Sequence, residues 1–308
     1  MLSNAIELDG VSKSYGDNRA LDTVSLTVPR GDICGFLGPN GAGKTTAIRI
    51  LFDLIRPNAG RASVLGYDCQ RAGVEARRHM GYLPGDLRLY EDYTGEQLLT
   101  LFATLRRDGD NAYARELCDR FSLDPAQKVA SYSKGNRQKV GLVLALMHQP
   151  EVIVLDEPTS GLDPLVQEQV EDVLAELAAR GHTVFFSSHV LSEVERMCNR
   201  VAILRKGRLV AVEDVANLKG RSLHILEVSF AAPVPAGAFD VNGIEEIRRD
   251  GNVVHLQVRS NIDGALKAIA RYPVVDLRTE QPSLEEVFLA YYEDPGSSAK
   301  AKGSAGAI

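Results

Sequence analysis

A glycine-rich stretch, Gly38–Thr46, constrains the fold more than any other part of the sequence. It matches the pattern G-x-x-x-x-G-K-[S/T] and lies between an apolar run predicted to be a strand, Asp32–Leu37, and a predicted helix, Lys44–Ile55. Glycines let backbone N–H groups turn inward around an anion, and the start of a helix adds partial positive charge. The alternative is a glycine-rich turn without a ligand. The strand–loop–helix context favours a phosphate-binding loop.

Each residue type in this loop suits a nucleotide triphosphate. Lys44 is expected to neutralise the β- and γ-phosphate oxygens, and the hydroxyl of Thr45 is expected to ligate Mg²⁺. The predicted cofactor-binding residues of the loop are Gly38, Pro39, Asn40, Gly41, Ala42, Gly43, Lys44, Thr45 and Thr46.

Two consecutive acids follow a second apolar run, Val152–Leu155. Ligands collect at the carboxyl ends of strands in an open α/β sheet, so Asp156 and Glu157 are predicted to face the phosphate loop. Asp156 would hold Mg²⁺, directly or through water, and Glu157 would polarise an attacking water. A strand that ends in two acids is by itself more often a capped turn. The phosphate loop reverses that preference.

The remaining patterns predict an α/β architecture. Short strands are expected at Ala5–Leu8 and Leu26–Val28. Residues from about Ala76 to Met147 have a mostly helical pattern, with helices over Glu96–Arg106 and Tyr113–Phe121. The apolar runs Val152–Leu155 and Thr183–Phe186 flank the amphipathic segment Leu165–Ala179, as buried parallel strands flank a crossover helix.

The sequence changes character near Leu218–Gly220. Val254, Leu256 and Val258 alternate with polar residues, which predicts a strand with one solvated face. Ser283 and Glu286 form a capping-box pattern ahead of an apolar helical face made by Leu284, Val287, Phe288 and Tyr291. We therefore expect a nucleotide-binding domain over 1–219, a small α/β accessory domain over 220–294 and a disordered tail over 295–308.

Composition limits the partners and the compartment. The net charge of −6 and the pI near 5.6 give no electrostatic reason to expect nucleic acid as the main partner. The four cysteines form no C-x-x-C pair and fit reduced thiols in the cytosol. The longest nearly apolar run, Val140–Met147, is far shorter than the roughly 20 residues of a membrane helix. The amino-terminal residues lack the pattern of a secretory signal. We therefore expect a chain that does not itself span a membrane.

Three further motifs make the chain resemble the ABC ATPases over roughly residues 4–215. Tyr132–Lys139 is similar to the family signature in its Ser-Lys-Gly form. Ser160–Asp163 is similar to the loop after the catalytic glutamate, and Ser187–His189 to the switch-histidine motif. Together with the phosphate loop and the acidic pair, five motifs stand in the family's order. The resemblance implies an ATPase core with antiparallel β and helical subdomains.

The resemblance also implies roles for individual residues. Ser133 and Gly135 would face the ATP held by a second subunit, His189 would contact the γ-phosphate, and Asp163 would lie near the nucleotide. Tyr15 lies where the family has an aromatic residue that stacks on adenine. Simpler readings remain open for each: Ser133 and Asp163 as helix N-caps, His189 as a surface residue and Tyr15 as packing.

The family also implies partners. Two copies, most simply a homodimer, would enclose two ATP molecules with Mg²⁺ and work at the cytoplasmic face of a membrane with a separate integral membrane permease. The Ser-Lys-Gly signature and the region after 220 resemble exporters of the daunorubicin-resistance type, which implies export of a drug, antibiotic or other hydrophobic compound. The alternatives are a non-transport ABC ATPase acting on ribosomes or chromosomes, and a P-loop kinase or small GTPase.

One position departs from the family pattern. The segment Gly81–Asp86 has Gly85 where the family normally has a glutamine that reaches Mg²⁺. Asp86 could replace that side chain, because a glycine before it gives the backbone freedom. The slightly favoured alternative is that Asp86 is a solvated turn residue and that water completes the metal's shell.

Overall fold

The computed structural model describes residues 4–106, 112–216, 224–235, 237–239, 243–258 and 262–280. The chain divides into two compact units, Met1–Asp214 and Val215–Ile308. The division falls a few residues before the domain boundary that the sequence predicts at 219/220. The predicted helix containing Ser283 and Glu286, and the predicted tail over 295–308, lie outside the described residues. The domain assignment stays a prediction.

The first unit contains an antiparallel sheet that begins at the amino-terminal end of the described chain. Its order is β2-β1-β4-β5. The four strands are β1 (Asn4–Tyr15), β2 (Asn18–Pro29), β4 (Ala59–Val64) and β5 (Tyr67–Asp68). Gly16, with a φ of +57°, makes the tight turn between β1 and β2. The predicted strands Ala5–Leu8 and Leu26–Val28 lie within this sheet.

A six-stranded sheet of order β10-β9-β3-β8-β7-β6 carries the site. Its strands are β3 (Ile33–Leu37), β6 (Met80–Leu83), β7 (Val152–Asp156), β8 (Thr183–Ser188), β9 (Arg200–Arg205) and β10 (Arg208–Asp214). The pairs β7/β8 and β3/β8 are parallel, which confirms the parallel strands expected at Val152–Leu155 and Thr183–Phe186. The carboxyl ends of β3, β7 and β8 therefore meet at one edge.

Strand β6 was not anticipated, because its sequence lies in a stretch with a mostly helical pattern. It pairs in parallel with β7 from Met80 to Leu83. A Cβ on Gly81 would lie 2.1 Å from the carbonyl oxygen of Ala145, so the strand packs directly against a helix. Both the strand pairing and this close approach join residues that are distant in the sequence, and a local pattern does not report them.

The helices of the first unit surround this sheet. They are α1 (Lys44–Leu51), α2 (Gly73–Arg78), α3 (Gly95–Arg106), α4 (Ala112–Arg120), α5 (Lys134–Leu146), α6 (Pro164–Ala179) and α7 (Leu191–Met197). The helices predicted at Glu96–Arg106, Tyr113–Phe121 and Leu165–Ala179 are confirmed to within one residue at each end. Helix α1 is shorter than predicted, because Asp53 adopts a left-handed backbone with a φ of +52° soon after Leu51.

Apolar side chains from both sheets and α1 form the core of the first unit. Phe36 and Phe185 pack there with ring centroids 5.3 Å apart and ring planes tilted by 35°, and Ile48 is fully buried. All four cysteines are free and buried. Burial raises the pKa of the Cys34 and Cys69 thiols to about 12, so thiolate is scarce at neutral pH.

The second unit has its own sheet and its own core. The antiparallel order is β12-β13-β11-β14, formed by β11 (His224–Phe230), β12 (Ile244–Asp250), β13 (Val253–Val258) and β14 (Val274–Glu280), with helix α8 (Ile262–Ile269). The predicted alternation in β13 is confirmed, since Val254, Leu256 and Val258 are buried. They pack in one cluster with apolar residues of α8, including Ile269.

Within the described part of the chain, no helix combines the length and apolar character needed to cross a membrane.

Candidate functional site: a nucleotide-binding pocket

The phosphate loop is held close to neighbouring backbone. Gly41 and Gly43 have φ values of +78° and +111°. A Cβ on Gly43 would lie 2.4 Å from the carbonyl oxygen of Ala20, and a Cβ on Gly38 would lie 2.4 Å from that of Leu204. Glycine is therefore required at both ends of the loop, by positive φ at Gly43 and by close approach at both positions.

The loop opens into a cavity of about 260 Å³. Besides the loop residues Asn40–Thr46, it is lined by Tyr15, Asn18, Ala20 and Glu157. Tyr15 is 48% exposed, and the Nζ of Lys13 lies 5.3 Å from its ring centroid. Tyr15 therefore lines the cavity with a half-exposed ring, and its stacking on adenine stays a prediction. Asn18 and Ala20 were not anticipated, because they belong to a strand rather than a motif.

Lys44 is a buried cation at the floor of this cavity. Only 6% of its surface is exposed, and Nζ donates to the carbonyl oxygens of Gly38 (2.6 Å) and Pro39 (3.2 Å). Nζ also lies 3.9 Å from Oε1 of Glu157. Burial lowers the pKa of Lys44, and the carboxylates of Glu157 and Asp156 oppose that shift. The ammonium is therefore short of solvation and well placed to gain from an anionic ligand.

Asp156 is buried at the carboxyl end of β7, with 1% of its surface exposed. Its Oδ1 accepts a 2.5 Å hydrogen bond from Oγ of Ser187. Its Oδ2 is buried and has no hydrogen-bond partner within the described residues. A buried carboxylate oxygen without a donor is costly unless a cation occupies the space beside it. The arrangement fits a metal ligand.

Glu157 has an unusual backbone conformation for a residue with a side chain. Its φ is +53°, and its N–H points to Ser187, 3.2 Å from the carbonyl oxygen and 3.1 Å from Oγ. The carboxylate is 29% exposed and lies 3.1 Å from Nδ1 of His189. Left-handed backbone at such a residue costs free energy and is typical of functional sites. The turn directs the two predicted catalytic side chains at each other.

Ser133 and Asp163 both cap helices, as the simpler readings anticipated. Oγ of Ser133 accepts from the N–H of Asn136 at 3.2 Å at the start of α5. Oδ1 of Asp163 accepts from the N–H of Val166 at 3.1 Å at the start of α6. Capping leaves each side chain near a helix N-terminus, where partial positive charge favours an anion. The cap and the nucleotide role are therefore compatible.

The signature motif packs against the loop that follows Glu157. A Cβ on Gly135 would lie 3.1 Å from the carbonyl oxygen of Gly161. Nε2 of Gln138 donates to the carbonyl oxygens of Glu157 (3.1 Å) and Pro158 (3.0 Å). Gln138 was not singled out from the sequence, although it lies within the Tyr132–Lys139 motif. Neither Ser133 nor Gly135 lines the cavity of the phosphate loop, as expected if they serve a second subunit.

The position that departs from the family pattern lies directly beside the free carboxylate oxygen. A Cβ on Gly85 would be 3.0 Å from Oδ2 of Asp156. The carboxylate of Asp86 is 70% exposed and pairs with Arg88 at 3.2 Å. The structure therefore agrees with the favoured reading of Asp86 as a solvated turn residue.

Comparisons with known proteins agree with this geometry. The family model described as ABC transporter matches residues 21–160. The daunorubicin resistance ATP-binding protein DrrA3 of Streptomyces coeruleorubidus is 36% identical over 304 residues, which cover 94% of this chain and 96% of the relative. The chain belongs to the ABC transporter family of ATP-binding proteins. The ABC protein is also 32% identical to the doxorubicin resistance ATP-binding protein DrrA of Mycobacterium tuberculosis, over 96% of this chain and 95% of the relative.

Solved structures of ABC cassettes have the same fold. The ATP-binding subunit of an ABC transporter superposes with a TM-score of 0.65 at 32% identity, over 70% of this chain and 92% of that chain. The dimeric structure of a bacterial ABC transporter cassette gives a TM-score of 0.63 at 25% identity, over 68% of this chain and 98% of that chain. The predicted fold class is confirmed, and this ABC protein is an ATP-binding subunit with ATPase activity.

Proposed function

We propose that this ABC cassette hydrolyses Mg²⁺·ATP to energise export of a drug, antibiotic or other hydrophobic compound through a separate membrane permease. The observation that carries the catalytic part is the convergence of Lys44, Asp156, Glu157 and His189 at the carboxyl ends of β3, β7 and β8. The transport part is supported by relatives that match over nearly their whole length and are named for daunorubicin and doxorubicin resistance. Those names disfavour a non-transport role.

The loop and its lysine bind the triphosphate. Backbone N–H groups of Gly41–Thr46 would cradle phosphate oxygens, and Lys44 would exchange its contacts to Gly38 and Pro39 for the β- and γ-phosphates. Tyr15 would stack on the adenine at the cavity rim. The cavity is lined by a cation, Lys44, for the phosphates and by an aromatic ring, Tyr15, for the base.

Asp156 and Thr45 would hold Mg²⁺. The described residues contain no cluster of three or more His, Cys, Asp or Glu side chains suited to a metal. One carboxylate, one hydroxyl, water and two phosphates form a normal Mg²⁺ shell, so this donor set fits. Bound Mg²⁺ would neutralise charge that develops on the phosphate oxygens. The free Oδ2 of Asp156 supports this assignment.

Glu157 and His189 would position the attacking water. The oxygen of the water attacks the γ-phosphorus while the Glu157 carboxylate accepts a proton from that water. The bond from phosphorus to the ADP oxygen breaks, which gives ADP and phosphate. His189 holds Glu157 through the 3.1 Å contact and can donate to the γ-phosphate. The Nζ of Lys44 lies 3.9 Å from the same carboxylate, on the side of the phosphate loop.

A second copy would complete each site. Ser133, Gly135 and Asp163 of that copy would face the triphosphate, with helix N-termini directed at its charge. The dimeric cassette among the structural relatives supports this arrangement. Binding of ATP would favour the closed homodimer at the cytoplasmic face of the membrane, and hydrolysis would reopen it. The second unit would serve as an accessory domain of the exporter type.

The substitution Glu157→Gln tests the catalytic assignment. It removes the base without changing the loop, so we expect ATPase turnover to fall by about 10²–10⁴-fold. ATP binding should persist and an ATP-bound dimer should accumulate in size-exclusion chromatography. Glu116→Gln, at an exposed position on α4, is the matched control. Turnover of Glu157→Gln close to that of the parent would exclude Glu157 as the base.

A further inference from the structure

Glu193 is a buried carboxylate that the proposed chemistry does not use. It lies in the first turn of α7, and only 7% of its surface is exposed. Oε1 accepts from Oγ1 of Thr159 at 2.5 Å, and Oε2 accepts from Oγ of Ser188 at 2.6 Å. Two hydroxyl donors, one on each oxygen, are the partners that an ionised carboxylate requires.

One donor lies in the loop that follows Glu157, and the other is the last residue of β8, directly before His189. Thr159 lies two residues after Glu157, and Ser188 immediately precedes His189. The Ser188 hydroxyl is held further, because it accepts from the N–H of Val190 at 2.9 Å. Glu157, His189 and Glu193 also line one cavity of about 240 Å³. A single carboxylate therefore joins the loop after Glu157 to the end of the strand that precedes His189.

Arg196, one turn later on α7, lies near enough to sense the charge of Glu193. Its guanidinium, however, donates to Glu171 at 2.5 and 3.0 Å. Among the residues that the structure describes, Glu193 is thus stabilised by hydroxyls rather than by a direct ion pair. Burying a carboxylate costs free energy that an apolar side chain of similar size would not cost. A carboxylate at this position is explained if its two hydrogen bonds fix the positions of the segments that they join, which apolar packing would not do.

We propose that Glu193 is a positioning residue, which holds the Glu157 loop and the His189 loop in the register that hydrolysis needs. The proposal rests on the roles assigned to Glu157 and His189. Displacement of a catalytic group by about 1 Å can cost about 10²-fold in rate, so loosening this tie should slow chemistry. Nucleotide binding should be spared, because neither Thr159 nor Ser188 lines the cavity of the phosphate loop.

The first test compares two substitutions at Glu193 in the full chain. Glu193→Ala removes both acceptors, so kcat should fall at least about tenfold while KM for ATP stays within about twofold. Glu193→Gln should recover most of that loss, because each hydroxyl can also accept a hydrogen bond from the amide. Ser192→Ala, at an exposed neighbouring position on α7, should match the parent. A kcat for Glu193→Ala within twofold of the parent would overturn the proposal. So would a glutamine variant as slow as the alanine variant.

The donors provide a second route if Glu193→Ala does not fold. Thr159→Val and Ser188→Ala each remove one end of the tie, and each should lower kcat with unchanged ATP affinity. Because the bonds act as one unit, adding Thr159→Val to Glu193→Ala should slow turnover no further. Loss of ATP affinity in parallel with thermal stability would show a purely structural role. Measuring Glu157→Gln in the same assays distinguishes failure of the Glu193 proposal from failure of the catalytic assignment on which it rests. If Glu157→Gln is active, the catalytic assignment is wrong.

Discussion

The buried ammonium of Lys44 illustrates how burial at a single residue creates binding energy. Its pKa is lowered mainly by loss of solvent, and its donors are turned toward two carbonyl oxygens of its own loop. A triphosphate bound as proposed would replace these neutral acceptors with charged ones, and hydrogen bonds to charged groups are the stronger kind. The cost of burying Lys44 in the free protein would then be offset when nucleotide binds.

We expect Lys44→Ala to weaken ATP binding about 10- to 100-fold, corresponding to about 1.5–3 kcal/mol for hydrogen bonds to a charged group. Titration calorimetry with a hydrolysis-deficient background measures this directly. Lys128→Ala, which changes an exposed lysine, is the control. Equal affinity in the Lys44 variant and the control would place the nucleotide somewhere else.

Substitutions of Asp86 and of Asp156 should have different effects on the Mg²⁺ dependence of ATPase activity. Asp86 is solvated and paired with Arg88, whereas Asp156 is buried with an unpartnered oxygen. Asp156→Ala should therefore raise the Mg²⁺ concentration for half-maximal ATPase activity, and Asp86→Ala should leave it unchanged. Metal titrations of both variants decide the point. A marked shift with Asp86→Ala would show that this carboxylate does replace the usual glutamine.

At the scale of elements, helix starts carry both stability and chemistry. Helices α5 and α6 begin at Ser133 and Asp163, whose side chains satisfy backbone N–H groups of their first turns. Helix α1 begins after Gly43, which has no side chain to do so, so its first N–H groups are left for a ligand. Helices α5 and α6 are thus capped by their own side chains, whereas α1 leaves its first turn available to the phosphate proposed to bind there.

Loss of the α6 cap should be measurable by itself. Asp163→Ala should lower the free energy of unfolding by about 1 kcal/mol, whereas Asp163→Asn keeps an acceptor and should cost much less. Urea denaturation of the two variants gives the comparison. Should both variants slow hydrolysis equally while only the alanine variant is destabilised, the charge acts in catalysis independently of the cap. Equal stability of all three proteins would contradict the capping role.

At the scale of the whole molecule, the two units have separate cores. The residues that line the nucleotide cavity all lie in the first unit, and so do the members of the apolar cluster that includes Phe36 and Phe185. The apolar cluster around Leu226, Val228 and Phe230 draws its members from the second unit. Since neither cluster depends on residues of the other, each unit can bury its own apolar surface.

We therefore expect a chain truncated after Leu218 to fold and to bind ATP with unchanged affinity. Circular dichroism, thermal denaturation and calorimetry of the truncated protein check this. Export, or stability of the complex with the permease, should fall if the second unit is an accessory domain. An insoluble truncation that exposes apolar surface would show that the two parts share one core.

The sequence by itself determined the features whose residues are close together in the chain. The phosphate loop, the acidic pair at the end of β7 and the caps at Ser133 and Asp163 are each defined within a few positions. Their chemistry follows from side-chain type and local backbone. The alternation of β13 and the crossover helix α6 were predictable for the same reason, because the spacing of apolar residues within one segment indicates which of its faces is buried.

Only the tertiary structure decided the contacts between distant segments. Strand β6 pairs with β7 and packs closely on α5 at Gly81, and Oδ2 of Asp156 lies beside Gly85, which has no side chain to contact it. The bonds from Gln138 to the Glu157 loop and from Thr159 and Ser188 to Glu193 likewise join residues from separate elements. A local pattern cannot predict such pairs, because hydrogen bonding and close packing depend on distances that are set when the sheet and its helices assemble.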